Sequence, residues 1–317
     1  MYYLGIDLGG TNIAAGVVDE NYHILATAKR KTKVSYKEED LYEQLAVTAL
    51  EALANAKITI DDIPWVGVGT PGTINRESGI VEFSNNLALH NYPLRDLLEK
   101  RLNKKVVIEN DANAAAYGEY KAGALKGVKH GIAITLGTGV GSGIIIDGKI
   151  YSGFNYAGGE MGHTVIVFDG RPCTCGRKGC WEAYASATGL ITMTREAMQK
   201  TDDRTKPIWT LAGGKLENVT GRTAFDAMRA GDPVGKEIVD RYIAYVGCGL
   251  VNCINTFEPD ILCVGGGICN EGETLMKPLR EYIAREAYTI NTSKKTQLCT
   301  AQLGNDAGII GAAFIGE

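Results

Sequence analysis

One strand–turn–strand pattern occurs twice in this chain. Ile6, Leu8, Gly9, Val17, Val18 and Asp19 fall on Ile134, Leu136, Gly137, Ile145, Ile146 and Asp147, 128 residues further along. Each copy is an apolar strand, a Gly/Thr turn and a second apolar strand, so a duplicated supersecondary unit organises the sequence. Two α/β halves that each open on such a unit predict a bilobal molecule with its ligand between the lobes. The length of 317 residues is consistent with two domains at ~100–200 residues each. No polar low-complexity linker separates the halves, and the boundary is expected near Asn113.

Around that repeat the local signals are ordinary. Tyr2–Asp7, Ala15–Val18 and Ile24–Lys29 read as an antiparallel meander. A helix follows with Ser35 and Glu38 spaced as a capping box and Leu41, Leu45, Ala49 and Leu53 on one face. Trp65–Gly69 and Val106–Glu109 read as strands, Pro93 opens a short helix, and Ala112–Ala122 forms an alanine-rich helix that Gly123 ends. Further helices begin at Asp232-Pro233 and carry Leu275, Leu279 and Ile283, with the strand Ile261–Val264 between them.

Composition excludes several functions. With 33 Lys+Arg against 37 Asp+Glu the net charge is −4, which does not suit a protein held to nucleic acid by phosphate neutralisation. No apolar run reaches the ~18 residues of a membrane span, and the N-terminus lacks the pattern of a signal peptide. Eight scattered or clustered cysteines do not form a secreted disulfide framework, so a cytoplasmic location is expected. Glycine, at 40 residues or roughly 13%, is well above the usual ~7%. Its clustering points to backbone turns that approach something closely.

In Asp7-Leu8-Gly9-Gly10-Thr11-Asn12 the absence of Cβ lets backbone N–H groups approach a phosphate, with Thr11 and Asn12 adding side-chain donors. Asp7, at the strand end, can hold a hydrated Mg²⁺ beside those phosphates. The second unit offers Gly137-Thr138-Gly139-Val140-Gly141. Neither is a Walker A or a Rossmann turn, because strands follow both. The alternative is a pair of tight hairpins in which glycine supplies positive φ.

His163, Cys173, Cys175 and Cys180 make a His-x9-Cys-x-Cys-x4-Cys arrangement, a donor set suited to a closed structural zinc site. Gly176 and Gly179 let the loop turn, and Arg177 and Lys178 favour thiolates. Asp111, where a strand meets a helix, is either an N-cap or a general base that takes a hydroxyl proton during phosphoryl transfer. Glu160 and Glu182 bracket the cysteine loop and suit hydroxyl recognition on a polyol such as a sugar. Asn86 and Asn110 can add polar contacts.

Together these residues resemble the ROK family of repressors, open reading frames and sugar kinases, and most of all its bacterial glucokinase branch. Cys173-Thr174-Cys175-Gly176-Arg177-Lys178-Gly179-Cys180-Trp181-Glu182 matches the family's CxCGxxGCxE motif at every fixed position. Leu136 to Ile144, Gly153, and Gly159-x2-Gly162-His163 are similar to the family signature. Asp7-x-Gly9-Gly10-Thr11 is similar to the first phosphate segment of actin-like ATPases, and Glu109 to Ala115 to the catalytic segment.

The resemblance implies an α/β, actin-like (ribonuclease H-like) ATPase fold of two lobes with the active site in the cleft. The lobes would comprise residues 1–112 joined by the C-terminal helix 301–317, and residues 113–300. It implies transfer of the ATP γ-phosphoryl group to a hexose, glucose giving glucose 6-phosphate, with Asp111 as base. Gly72, Asn86, Asn110, Glu160, His163 and Glu182 would contact the sugar. Gly10, Thr11, Asn12, Thr138 and Gly139 would meet the phosphates, with Asp7 and Gly9 beside them, and adenosine would lie near Gly266. The cofactors implied are ATP, Mg²⁺ and a structural Zn²⁺, and the assembly a homodimer or homotetramer. Ala88 and Leu89 stand where the glucokinase pattern has Gly and Trp, which leaves N-acetylmannosamine, N-acetylglucosamine, fructose and allose as alternative substrates. Polyphosphate is the alternative donor. The other class of reading is a sugar-sensing protein, either a repressor or a catalytically silent binder.

Overall fold

The structure is a computed structural model that describes residues 1–32, 39–201, 203–289 and 291–317. The capping box at Ser35 and Glu38 lies outside the described residues. Strands β1 (Tyr2–Leu8), β2 (Asn12–Asp19) and β3 (Ile24–Lys31) form the expected meander. Helix α1 (Glu39–Ala56) buries Leu41, Leu45, Ala49 and Leu53, the stripe that a 3.6-residue period places on one face. Strand β4 (Val66–Thr70), buried at every position, pairs parallel with β1. Strands β5 (Thr73–Asn75), β6 (Ile80–Ser84) and β7 (Leu89–Tyr92) make a small antiparallel sheet. Their shortness and weak alternation leave no clear sequence signal. Helix α2 (Leu94–Leu102) and strand β8 (Val106–Asn110) follow, and α3 (Asp111–Ala122) continues from β8 with no intervening loop.

The repeat then recurs as β9 (Gly131–Leu136), β10 (Val140–Ile146) and β11 (Lys149–Tyr151). The 128-residue shift carries the last residue of β1, Leu8, onto the last residue of β9, Leu136. It also carries the first of β2, Asn12, onto the first of β10, Val140. Short helices α4 (Glu182–Ala185), α5 (Ala187–Gln199), α6 (Pro207–Leu211) and α7 (Thr223–Arg229) come next; only α5 is long enough to display a helical period. Helix α8 (Pro233–Phe257) starts where Asp232-Pro233 predicts, with the Asp232 carboxylate accepting the Val234 N–H at 2.8 Å. Strand β12 (Ile261–Gly265), helix α9 (Glu273–Glu286), strand β13 (Gln297–Thr300) and helix α10 (Ala307–Phe314) complete the chain.

The two large sheets share one plan. The first runs β3-β2-β1-β4-β8 and the second β11-β10-β9-β12-β13, each a meander extended by two parallel strands. The duplication thus extends from the hairpin to the whole sheet. Contacts divide the chain into two compact units: Met1–Ala133 with Ser142–Gly159 and Ala301–Glu317, and Ile134–Gly141 with Glu160–Thr300.

In the first unit, the core between the sheet, α1 and α2 is aliphatic, and α10 closes the opposite face against β1, β4 and α3. Backbone touches backbone there. A Cβ on Gly5 would collide with the Ile309 carbonyl oxygen, and one on Gly67 with that of Ala312. At the crossing of α3 and α10, a Cβ on Gly311 would strike the Ala114 carbonyl oxygen and one on Gly118 that of Ala307. In the second unit, α5, α7 and α9 pack on α8, and Trp181 is fully buried against Gly249 with its indole N–H donated to the Tyr245 carbonyl at 2.9 Å.

Gly311→Ala is expected to destabilise the protein by about 2 kcal/mol or more, the range for overpacking a tight contact. Thermal unfolding checks this; an unchanged Tm would mean that the α3–α10 crossing can relax around a methyl group.

Candidate active site

The turn between β1 and β2 is closed by the Gly9 N–H donated to the Asn12 carbonyl at 2.9 Å. Thr32, which carries no sequence signal of its own, pins it from outside. Its hydroxyl donates to the Gly9 carbonyl and its N–H to the Thr11 carbonyl, both at 2.8 Å. Gly10, Thr11 and Asn12 are exposed. Neither Gly9, Gly10, Gly137 nor Gly139 has a positive φ, so the hairpin alternative fails in its physical premise. At Gly10 an added Cβ would meet its nearest atom, Asn86 Cβ, at an ordinary 3.6 Å, and at Gly137 it would meet nothing within 4 Å. Among the described residues nothing requires glycine at those two positions.

Asp111 is not the helix cap. The Asn110 side chain takes that role, its Oδ1 accepting the N–H groups of Ala112 and Asn113 at 2.9 and 3.1 Å. Asp111 is the first helical residue, and one of its carboxylate oxygens accepts the Ala112 N–H at 2.9 Å. Burial raises its pKa against the opposing pull of backbone donors. Asp7 is pushed up to about 6, by burial first and then by the charge of Asp111. Its carboxylate lies against Gly308 of α10. The charge of Asp111 disfavours that of Asp7, a setting that a divalent cation would relieve, so Asp7 fits Mg²⁺.

Gly72 adopts a φ of 119°, and a Cβ there would collide with the Phe83 carbonyl oxygen, so this position does require glycine. Its own carbonyl accepts the Asn110 Nδ2 at 3.1 Å. Asn86 is exposed in the β6–β7 turn beside Gly10. Ala88, in the same turn, holds the left-handed conformation (φ 51°) that glycine would adopt freely, and Leu89 is buried in the aliphatic core. The first unit therefore gathers Asp7, Gly10, Gly72, Asn86, Asn110 and Asp111.

In the second unit the turn Gly137-Thr138-Gly139 is gripped by the chain that follows the cysteine loop. Glu182 Oε2 accepts the Val140 N–H at 3.0 Å and occupies the space a Cβ on Gly139 would need. Ala187 N–H donates to the Gly137 carbonyl at 2.8 Å, and the Thr188 hydroxyl to the Thr138 carbonyl at 2.8 Å. Gly266, with φ 94°, packs so closely on the end of β9 that a Cβ would strike the Leu136 carbonyl oxygen. Glu160 and Glu182 are placed differently from one another. Glu160 is exposed and opens a short turn, its carbonyl accepting the His163 N–H at 3.0 Å, and Glu182 is half-buried.

The donor atoms of His163, Cys173, Cys175 and Cys180 all lie within 4.8 Å of one another. Cys173 Sγ is 3.6 Å from His163 Nδ1, and Cys175 Sγ is 3.6 Å from Cys180 Sγ. A tetrahedral zinc with ~2.3 Å Zn–S bonds separates its sulfurs by about 3.8 Å, so the cluster fits that ion. Gly176 and Gly179 have φ of 87° and 79°, the tight turning expected of them. The cationic neighbours act unevenly. Burial pushes Cys180 up to about 12 and raises Cys173; in Cys175 burial is outweighed by the backbone donor of Arg177, the neighbouring thiols and the Arg177 charge, and its pKa is lowered.

Comparison with known proteins places the chain in one family. The family model described as "ROK family" matches residues 3–317. The chain is 40% identical over 314 residues to a glucokinase of Thermotoga maritima, covering 98% of this chain and 96% of that protein. A ROK family glucokinase from Streptomyces griseus, solved with glucose and AMPPNP, superposes with a TM-score of 0.81 at 37% identity, covering 99% of this chain and 98% of that one. A ROK hexokinase from Thermus thermophilus superposes at 0.79 with 32% identity, covering 99% and 97%. These neighbours bear out the actin-like fold.

The raised pKa of Asp7 carries a stability prediction. Because the folded value of about 6 exceeds the ordinary carboxylate value of 3.8, the native state binds the extra proton between those pH values. The contribution of Asp7 to stability is therefore fully present below pH ~4 and is lost as pH rises through ~6, about 3 kcal/mol. In metal-free buffer, Asp7→Asn is expected to raise the Tm at pH 7.5 and to flatten its fall between pH ~4 and ~7. A variant that melts lower than wild type at pH 7.5 would contradict the assignment.

Proposed function

The chain belongs to the ROK family, and on that premise we propose that it is an ATP-dependent hexose kinase that converts glucose to glucose 6-phosphate. One observation carries the reading beyond family membership. Asn110 caps α3, which frees Asp111, a carboxylate of raised pKa at a strand–helix junction, from the structural role it would otherwise fill. A base of raised pKa suits a hydroxyl proton that moves as phosphoryl transfer proceeds.

The remaining roles follow residue by residue. Gly10, Thr11, Asn12, Thr138 and Gly139 would supply donors to the phosphates. Gly10 and Gly137 support this, because neither φ nor neighbouring atoms account for glycine there. Gly266 would border adenosine. Gly72, Asn86, Asn110, Glu160, His163 and Glu182 would contact the sugar. Asn110 can do so only through Nδ2, because Oδ1 serves the cap, and Glu182 through Oε1, because Oε2 holds Val140. Asp7 would hold Mg²⁺, which supplies charge neutralisation at the phosphates when bound. His163, Cys173, Cys175 and Cys180 would hold a structural zinc, leaving no open position for catalysis. Among the described residues no helix is long and apolar enough to cross a membrane. An ATP substrate supports a cytoplasmic enzyme, and the family supports a homodimer or homotetramer.

Turnover with Mg-ATP across glucose, mannose, fructose, allose, N-acetylglucosamine and N-acetylmannosamine tests the substrate. Glucose is expected to have the highest kcat/KM, and an N-acetyl sugar in first place would move the substrate while keeping the mechanism. Asp111→Asn is expected to lower kcat at least ~100-fold while calorimetric glucose binding persists; near-normal turnover would remove Asp111 as the base. Stripping the metal with a chelator is expected to lower the Tm, because ligand binding at a closed site is folding free energy. An unchanged Tm on metal loss would contradict a structural site.

A further inference from the structure

We propose that the ion pair of half-buried Arg76 with buried Glu109 is a positioning device for phosphoryl transfer, locking the sheet β5–β7, whose β6–β7 turn carries Asn86, to the junction that carries Asp111. The inference rests on the kinase reading and assigns neither residue a contact with substrate.

Glu109 is the last residue but one of β8, and its side chain is 2% exposed. Oε1 accepts the Asn110 N–H at 2.8 Å and the Asn113 Nδ2 at 3.1 Å, so the carboxylate wraps the strand-to-helix junction on both sides of Asp111. Oε2 is buried and makes no aligned hydrogen bond. Its compensation is the Arg76 guanidinium, whose Nη1 stands 3.1 Å away. Half of a buried carboxylate therefore depends on one charge from another element.

Arg76 is presented from a turn that is itself held. Arg95 of α2 donates to the carbonyls of Arg76, Glu77 and Ser78, at 3.4, 3.0 and 2.8 Å, so the β5–β6 turn has little freedom. Strand β5 is tied to the end of β8 at both of its ends, by the Gly72 carbonyl on Asn110 and by Arg76 on Glu109. Strands β5, β6 and β7 are one sheet, and Asn86 lies in the β6–β7 turn. Two ties, one neutral and one ionic, therefore set where Asn86 stands relative to Asp111. An apolar pair of similar volume would serve stability as well or better, whereas a directional charge pair fixes one arrangement.

The experiment is a double-mutant cycle on the full chain with Arg76→Met, Glu109→Gln and the double variant, measuring kcat and KM for glucose and for ATP. Each single variant is expected to lose about 30-fold in kcat/KM for glucose, with the ATP KM within about threefold of wild type. Arg76→Met strands a buried carboxylate, and Glu109→Gln turns an amide N–H toward a guanidinium. The double variant keeps a side-chain carbonyl at position 109 for Asn110 and Asn113 and needs no counter-charge, so it is expected to recover to within about fivefold of wild type. Should Arg76→Met fail to fold, Arg76→Lys is expected to fold and keep at least about a third of the wild-type rate. A fully active Arg76→Met, a double variant no better than the worse single, an inactive but folded Arg76→Lys, or a loss confined to the ATP KM would each overturn the inference. A wild type that phosphorylates no sugar would instead overturn the kinase reading, and this inference with it.

Discussion

Everything in the first unit depends on how closely α10 can approach. Four glycines, Gly5, Gly67, Gly118 and Gly311, let one helix lie against two strands and a second helix at backbone distance. A Cβ at any of them would stand between 1.6 and 2.2 Å from a backbone oxygen, well inside contact distance, so a methyl group there forces backbone to move. Asp7 sits against Gly308 of that helix, and Asp111 is the first residue of the helix that α10 crosses. The burial that raises Asp7 is thus a consequence of the same close packing.

The second unit solves a related problem with polar groups. Its glycine turn is held by Glu182 from the end of the cysteine motif and by the two residues that open α5. Thr174 and Cys173 approach the other oxygen of the same carboxylate, at 3.4 and 3.7 Å. Loop, carboxylate and turn form one connected group, and this explains why a motif suited to metal binding lies so near a turn suited to phosphate. The spacing of Glu182 from Cys180 reads as sugar recognition; in the structure one oxygen grips Val140 and the other faces Thr174 and Cys173.

Much of the local architecture was legible in advance because it depends on neighbours in sequence. The meander, the α1 stripe, the start of α8 at Asp232-Pro233 and the positive φ of Gly176 and Gly179 follow from periodicity and turn chemistry alone. The small sheet β5–β7 and helices α4, α6 and α7 did not register, since elements of three to seven residues are shorter than the periods that reveal them. Thr32 was invisible for another reason. It pins a turn some twenty residues away, and nothing in its own surroundings marks it.

The sequence by itself determined the duplicated unit, the four donors of the cysteine cluster and the identity of the carboxylate at the β8–α3 junction, because each is a matter of spacing along the chain. Which of two adjacent residues caps α3 is another kind of fact. Asn110 and Asp111 are both good caps, and the choice fell to Asn110 because its side chain also reaches the Gly72 carbonyl across the fold. Tertiary structure likewise decided that the turn glycines are not there for φ, and that Glu109 stands against Arg76 instead of water. Such choices turn on the relative free energies of contacts between segments distant in sequence, and a chain read in order contains no record of which contacts its folding will make.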